Sequence, residues 1–237
     1  MLNKHKDFIM TDNTTLIKDD RLTWLNTDNT EFYENLPLDE FYKIAVIGGL
    51  DSGKDVDVIM PYANVAHSVL EVGAGYGRVL NHLITRGYKG KLSAVERSKK
   101  LCQWLKSQYQ PRVTILEGSL MTITHQEKYD LILWMWTGLA EFSKDEQVTA
   151  LKKLLEYLTP EGKIILDMVP LTEKTLNTVA LTVQEHICET KYGTDHCYIS
   201  SEEEITDYAQ KIGLKTVEKI VYKSLPERTR LFYILSR

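Results

Sequence analysis

The ten residues VLEVGAGYGR, Val69 to Arg78, constrain what this chain can fold into more than any other stretch. An apolar run carrying one carboxylate (Val69, Leu70, Glu71, Val72) leads into glycines at 73, 75 and 77. Apolar residues then recur at helical spacing, at Val79, Leu80, Leu83 and Ile84. The pattern predicts a buried strand, a tight turn and a helix, with Gly87 as a left-handed stop. Alternating glycines at the C-terminal end of a strand let the backbone approach a ligand with its N–H groups free. Gly73, Ala74, Gly75 and Gly77 are therefore candidate binding positions. The spacing is GxGxG, one residue shorter than the GxGxxG of dinucleotide sites. Glu71, just ahead of the glycines, suits a ligand with cationic groups better than one rich in phosphate.

Beyond the glycines the chain keeps a regular order. A second strand, Lys91 to Val95, ends at Glu96, nineteen residues beyond Gly77, and Arg97 stands beside it. A carboxylate at that point can accept protons from both hydroxyls of a ribose. Ser98 caps a helix stopped by Pro111, and a third strand, Val113 to Leu116, runs into Gly118, Ser119 and Leu120. The fourth strand is KYDLILWMW, Lys128 to Trp136, and strict alternation puts Trp134 and Trp136 on one side of it, an aromatic wall at the strand end.

From about Tyr42 to the C-terminus this order resembles the class I S-adenosylmethionine-dependent methyltransferases, whose first motif is an acidic residue followed by GxGxG. The resemblance implies an α/β, doubly wound, mostly parallel seven-stranded sheet with an antiparallel last strand, preceded by N-terminal helices and interrupted by a small cap insertion. It also implies S-adenosylmethionine as cofactor and S-adenosylhomocysteine as product. On that reading Tyr42 packs beside the cofactor, Glu71 and the glycines hold its amino-acid end, and Arg78 pairs with its carboxylate. Glu96 meets the ribose, Arg97, Gly118, Ser119 and Leu120 line the adenosyl side, and Trp134 borders the cofactor where it faces the methyl-transfer site. The family carries an acidic residue where this chain has Ser119, which puts the adenine contact in doubt.

The remaining segments fit around this frame. Residues 1–30 form a polar N-terminal arm, and 31–237 are expected to form one domain, with 170–200 as a substrate cap. Before the glycine loop, Lys43 to Ile47 reads as a strand. Gly48 to Lys54 then reads GxxxxGK, close to a phosphate-binding loop, although Asp55 replaces the hydroxyl residue such a loop needs. Asp167 would be its acidic strand end. A helix from about Gly53 to Ala63 is expected, capped by Ser52 and kinked or ended by Pro61. Ser143 to Glu146 is a capping box opening a helix whose leucines run to Leu158, and the turn TPEG leads to a strand, Lys163 to Val169. In the cap, strands at Asn177–Thr190 and His196–Ser200 are joined by a turn around Gly193. His186, Cys188, His196 and Cys197 invite a metal reading, but sequence neighbours on a strand point to opposite faces, and no metal is expected. A second capping box, Ser201 to Glu204, precedes a closing antiparallel pair, Thr216–Tyr222 and Arg230–Leu235.

Composition excludes some classes. A net charge of −4 over 237 residues argues against nucleic acid as the main partner. The longest apolar runs fall well short of a membrane span, and the start MLNKHKDF does not read as a signal peptide. Three cysteines make no disulfide framework, which points to the reducing cytoplasm. Oligomeric state is not legible. The expected acceptor is a small molecule or peptide, with nitrogen favoured because an amine needs no obligatory general base. Trp136 is placed at the transfer site, and Glu141 and His186 are the candidate bases. Two alternatives stay open: a non-catalytic S-adenosylmethionine-binding protein of the same fold, and a nucleotide-binding protein using residues 48–55.

Overall fold

The computed structural model describes residues 28–172, 179–180 and 182–237. Three helices come first: α1 (Asp28–Asn35), α2 (Leu38–Gly48) and α3 (Lys54–Val65). Strands and helices then alternate through β1 (Ser68–Val72), α4 (Arg78–Thr85), β2 (Lys91–Glu96), α5 (Lys99–Tyr109), β3 (Val113–Glu117), β4 (Tyr129–Trp134), α6 (Lys144–Leu154) and β5 (Leu158–Met168). A small insertion supplies β6 (Val179–Ala180), β7 (Glu185–Thr190) and β8 (Gly193–Tyr198), and the chain closes with α7 (Glu202–Lys211), β9 (Lys215–Leu225) and β10 (Arg228–Ser236).

Seven strands form one sheet in the order β3-β2-β1-β4-β5-β10-β9, in which only β10 runs against its neighbours, as expected. The direction of winding reverses between β1 and β4. Crossovers diverge there, so the C-terminal ends of those two strands leave a crevice. Central strands are apolar on both faces because helices cover both. Leu70, Ile132, Ile164 and Leu166 pack with α6 and α7, while Val69, Leu131, Leu133 and Ile165 pack with α3 and α4. The insertion folds as a separate three-stranded sheet, β6-β7-β8.

Several expectations change. Lys43–Ile47 is helical, part of α2, so Gly48–Lys54 follows a helix and not a strand. That segment packs on α4 instead: Arg78 Nη1 donates to Leu50 O at 2.8 Å, and His82 Nε2 lies 3.0 Å from Asp51 O. A phosphate-binding loop is thereby ruled out. Gly53, in left-handed backbone, and not Ser52, precedes α3, and the helix continues past Pro61 to Val65. Strand β4 ends at Trp134, two residues early. Helix α6 ends at Leu154, and Leu158 opens β5, which contains the TPEG segment. Leu158 pairs with Tyr129 before the register shifts to Leu131–Lys163, so pairing with β4 overrides the helical spacing of the leucine. The cap turn is tighter than expected, with Thr190 paired to Gly193 across Lys191 and Tyr192. Asn177, Thr178 and Leu181 of the expected first cap strand, and residues 1–27 of the expected arm, lie outside the described residues. The last residues of that arm belong to α1, where Asn29 is buried. Both capping boxes and the left-handed Gly87 are present.

Candidate active site

The glycine bend closes onto β2. Gly73 N and Ala74 N donate to Val95 O at 2.9 and 3.2 Å, and Gly75 N donates to Glu96 Oε2 at 2.8 Å. Ser98 N donates to the other carboxylate oxygen, also at 2.8 Å. Glu96 is thus fixed at the strand end by two backbone donors, which partly offset the upward push of burial on its carboxyl. The three glycines are there for different reasons. All have positive φ, at +67°, +56° and +88°. A Cβ on Gly73 or Gly75 would meet nothing within 4 Å, whereas one on Gly77 would sit 2.4 Å from Tyr109 Cε2 and 2.8 Å from Leu105 Cδ2. Gly73 and Gly75 leave space for something to lie against the backbone; Gly77 lets α5 pack.

Above the bend is a cavity of about 1430 Å³. Tyr42, Glu71, Gly73, Ala74, Gly75, Arg78, Glu96, Arg97, Gly118, Ser119, Leu120, Trp134, Trp136 and Glu141 all line it. Gly77 and His186 do not. His186 pairs with Cys197 and shares its sheet face, but it lies beyond the residues that line the cavity, its Nε2 3.4 Å from Val183 O, and so it is not positioned as a base there. Glu71 is buried and its Oε2 has no hydrogen-bond partner among the described residues. Burial drives its carboxyl well above the usual range, against the pull of Arg78. Arg78 is not an exposed helix-start residue: it is buried in a bidentate pair with Asp55, at 2.9 and 2.6 Å. Ser119 serves its own turn, its Oγ accepting from Met121 N at 3.3 Å and its carbonyl from Ile123 N at 2.9 Å.

The end of β4 holds a feature that alternation did not foresee. Trp136 and Thr137 both adopt left-handed backbone, φ +54° and +59°, which is costly for residues with a Cβ. Trp136 therefore does not share a strand face with Trp134; Trp134 is buried edge-on against Phe142, and Trp136 lies 5.9 Å from the Arg78 guanidinium carbon. Asp167, fully buried on β5, holds the bend: its Oδ2 accepts from Trp136 N at 2.7 Å and its carbonyl from Thr137 N at 2.9 Å. Arg230 on β10 pairs with Asp167 through two bonds, 2.9 and 2.8 Å, and its Nη2 donates to Thr137 Oγ1 at 2.8 Å.

A second polar cluster joins α1, the 3-10 turn Gly138–Glu141 and the cap. Glu141 accepts from Asn29 Nδ2 at 3.0 Å, from Arg97 Nη2 at 2.9 Å and from the Tyr33 hydroxyl. Asn29 also exchanges two bonds with His196, at 2.8 and 2.9 Å, pinning α1 to β8. Asp195 of β8 lines the cavity nearby. Burial, and then the charge of Glu141, push its carboxyl well up. Asn29, Tyr33 and Asp195 were not foreseen from the sequence.

Residues 69–162 match the family model for a methyltransferase domain. No curated protein matches the chain in sequence. Similar solved structures include a S-adenosylmethionine-dependent methyltransferase from Leishmania major (TM-score 0.66, 19% identity, covering 89% of this chain and 82% of that one). The CcbJ methyltransferase from Streptomyces caelestis gives a TM-score of 0.61 at 19% identity, over 79% of this chain and 95% of that one. S-adenosylmethionine-bound CalS10, an amino pentose methyltransferase from Micromonospora echinaspora, gives 0.59 at 16%, over 82% and 96%. With its glycine bend at the end of β1 and a single reversed strand in a seven-stranded sheet, the chain has the class I S-adenosylmethionine-dependent methyltransferase fold, and residues 69–162 within it are similar to the methyltransferase domain family.

Proposed function

We propose that this protein transfers a methyl group from S-adenosylmethionine to a small-molecule or peptide acceptor, with nitrogen the favoured acceptor atom. The observation that carries the reading is the open space over Gly73 and Gly75, bounded by the buried carboxylates Glu71 and Glu96. A cationic amino-acid group suits the orphaned Glu71 oxygen. The two ribose hydroxyls suit Glu96, whose oxygens each keep a lone pair beyond their backbone bond. Arg97, Ser119 and Leu120 would border the adenine, and Tyr42, Arg78, Trp134 and Trp136 the rest of the cofactor. The cavity exceeds the roughly 300–1,000 Å³ usual for one ligand, which leaves room for donor and acceptor together.

The bound cofactor supplies a methyl group already activated on a sulfonium. The chain's own residues have three tasks: to hold the acceptor in near-attack geometry, to exclude water, and to leave a lone pair on the acceptor. Tyr33, Phe41, Tyr76 and Trp136 give the cavity apolar, water-excluding walls. The Asp167–Arg230 pair fixes the Trp136–Thr137 bend so that the wall at the end of β4 is rigid. Residues 170–200 serve as the substrate cap of a single domain spanning 31–237. Glu141, committed to Asn29, Tyr33 and Arg97, acts as a positioning residue for α1 and the cap. A glycopeptide N-methyltransferase among the similar structures agrees with a nitrogen acceptor.

The test is incubation with isotopically labelled S-adenosylmethionine and a library of amines and alcohols, read by mass spectrometry. Label in amine products supports the reading. Binding of S-adenosylhomocysteine with no transfer to any acceptor favours the alternative, a cofactor-binding protein without activity, to which the departure at Ser119 lends some support.

A further inference from the structure

Around Asp195 the cavity wall is richer in negative than in positive charge. Two carboxylates, Glu141 and Asp195, face one guanidinium, Arg97. Glu141 takes that cation and two further donors, so its oxygens are occupied. Asp195 is treated differently. It is 9% exposed; its Oδ1 has no hydrogen-bond partner among the described residues, and its Oδ2 has only the Cys197 thiol, at 3.6 Å. Register explains where it points: Asp195 pairs with Cys188 across β7 and β8, and Cys188, Asp195 and Cys197 share the face that lines the cavity.

A buried carboxylate oxygen left without a donor costs folding free energy, and such groups persist where a ligand completes them. Tyr33 does not compete for that oxygen: its ring lies between Phe41, centroids 5.9 Å apart, and the Arg97 guanidinium, 5.4 Å from its centroid, and its hydroxyl donates to Glu141, so it walls the corner beside Asp195. An anion would meet two carboxylates. A neutral hydroxyl could bond Asp195 but would bring no countercharge to let it ionise.

We propose that Asp195, flanked by Tyr33 and the Glu141–Arg97 pair, is a subsite for one alkylammonium group, and that the acceptor is accordingly a small alkylamine with an apolar or aryl substituent, whose ammonium proton passes to Asp195 to free the nitrogen lone pair that transfer needs. This rests on the methyltransferase reading for the word acceptor, but not for the subsite itself. Burial beside Glu141 raises the Asp195 carboxyl in the empty protein, so the ammonium brings the countercharge that lets it ionise.

The test titrates the full chain with 2-phenylethylamine, 2-phenylethanol and phenylacetate, with and without saturating S-adenosylhomocysteine, by calorimetry. For the wild type the amine should bind at least about tenfold more tightly than the alcohol, and phenylacetate more weakly than either, as expected for a charge-assisted bond. In Asp195→Asn the ratio of amine to alcohol should fall to near one, with the affinity for S-adenosylhomocysteine as the control for an intact fold. Equal binding of amine and alcohol by the wild type, no binding of the amine, or an amine preference kept in Asp195→Asn would each overturn the subsite. The wild-type series decides the matter even where the variant does not fold. Amine binding by a protein that takes up no S-adenosylhomocysteine would sink the methyltransferase reading and leave the subsite standing.

Discussion

Replacing Gly75 and Gly77 separately by alanine separates the two jobs that one motif performs. At Gly75 the new methyl enters open space, since nothing lies within 4 Å of that position. The cost to the folded protein is the left-handed backbone, φ +56°, roughly 1–2 kcal/mol for a residue with a Cβ. For a chain of this length each kcal/mol is about 2–4 °C in melting temperature, so Gly75→Ala should melt only a few degrees below wild type. Its methyl, however, occupies the space assigned to the cofactor. Wild type at one hundred times the dissociation constant of S-adenosylhomocysteine should gain about 2.7 kcal/mol, and Gly75→Ala should gain close to none. Gly77→Ala has the opposite profile. It meets Tyr109 at 2.4 Å and Leu105 at 2.8 Å, adding overpacking of about 1–3 kcal/mol to the backbone strain, yet it adds nothing to the cavity wall. It should melt well below Gly75→Ala and still be raised by the ligand. Thermal melts of the three proteins with and without S-adenosylhomocysteine decide it. A Gly75→Ala protein stabilised as much as wild type would refute the reasoning.

The same geometry makes three further outcomes testable. Glu96→Ala should lose about 1.5–3 kcal/mol of S-adenosylhomocysteine affinity, measured by calorimetry, if the ribose bonds are charge-assisted. Arg230→Met should cost about 3–5 kcal/mol in denaturant unfolding, because Asp167 is left buried without its cation, whereas Asp167→Asn combined with Arg230→Met should recover most of the loss. The raised Asp195 carboxyl binds its proton more tightly folded than unfolded, so its contribution to stability is fully present below the ordinary aspartate range and is lost as pH rises towards the folded value. Asp195→Asn should therefore be more stable than wild type at neutral pH, with the gap closing in melts taken as pH falls towards about 4.

Local chemistry made much of this protein readable in advance. Strand, glycine bend and helix around Gly75, the acid at Glu96, the caps at Ser98, Ser143 and Ser201, and the stop at Gly87 each depend on residues a few positions apart. The elements that misled depend on distant ones. The run KIAVI is β-branched and apolar enough for a strand, but it lies in α2, where Phe41 and Ala45 are buried while Val46 and Ile47 are left exposed. The turn at Trp136 requires Asp167 from β5 and Arg230 from β10, which no reading of WMW alone supplies. Arg78 looks like a surface residue until α3 brings Asp55 to it. Asp195 gains its meaning from the β7–β8 register and from Glu141, which lies more than fifty residues earlier in the chain.

The central claim, that the bend after β1 and the acid after β2 together hold an adenosyl amino acid, is tested most directly by electron density from crystals grown with S-adenosylhomocysteine. The account predicts density lying over Gly73 and Gly75 with the ribose hydroxyls against Glu96. A ligand bound elsewhere in the molecule, or the protein's own side chains filling the bend, would contradict it.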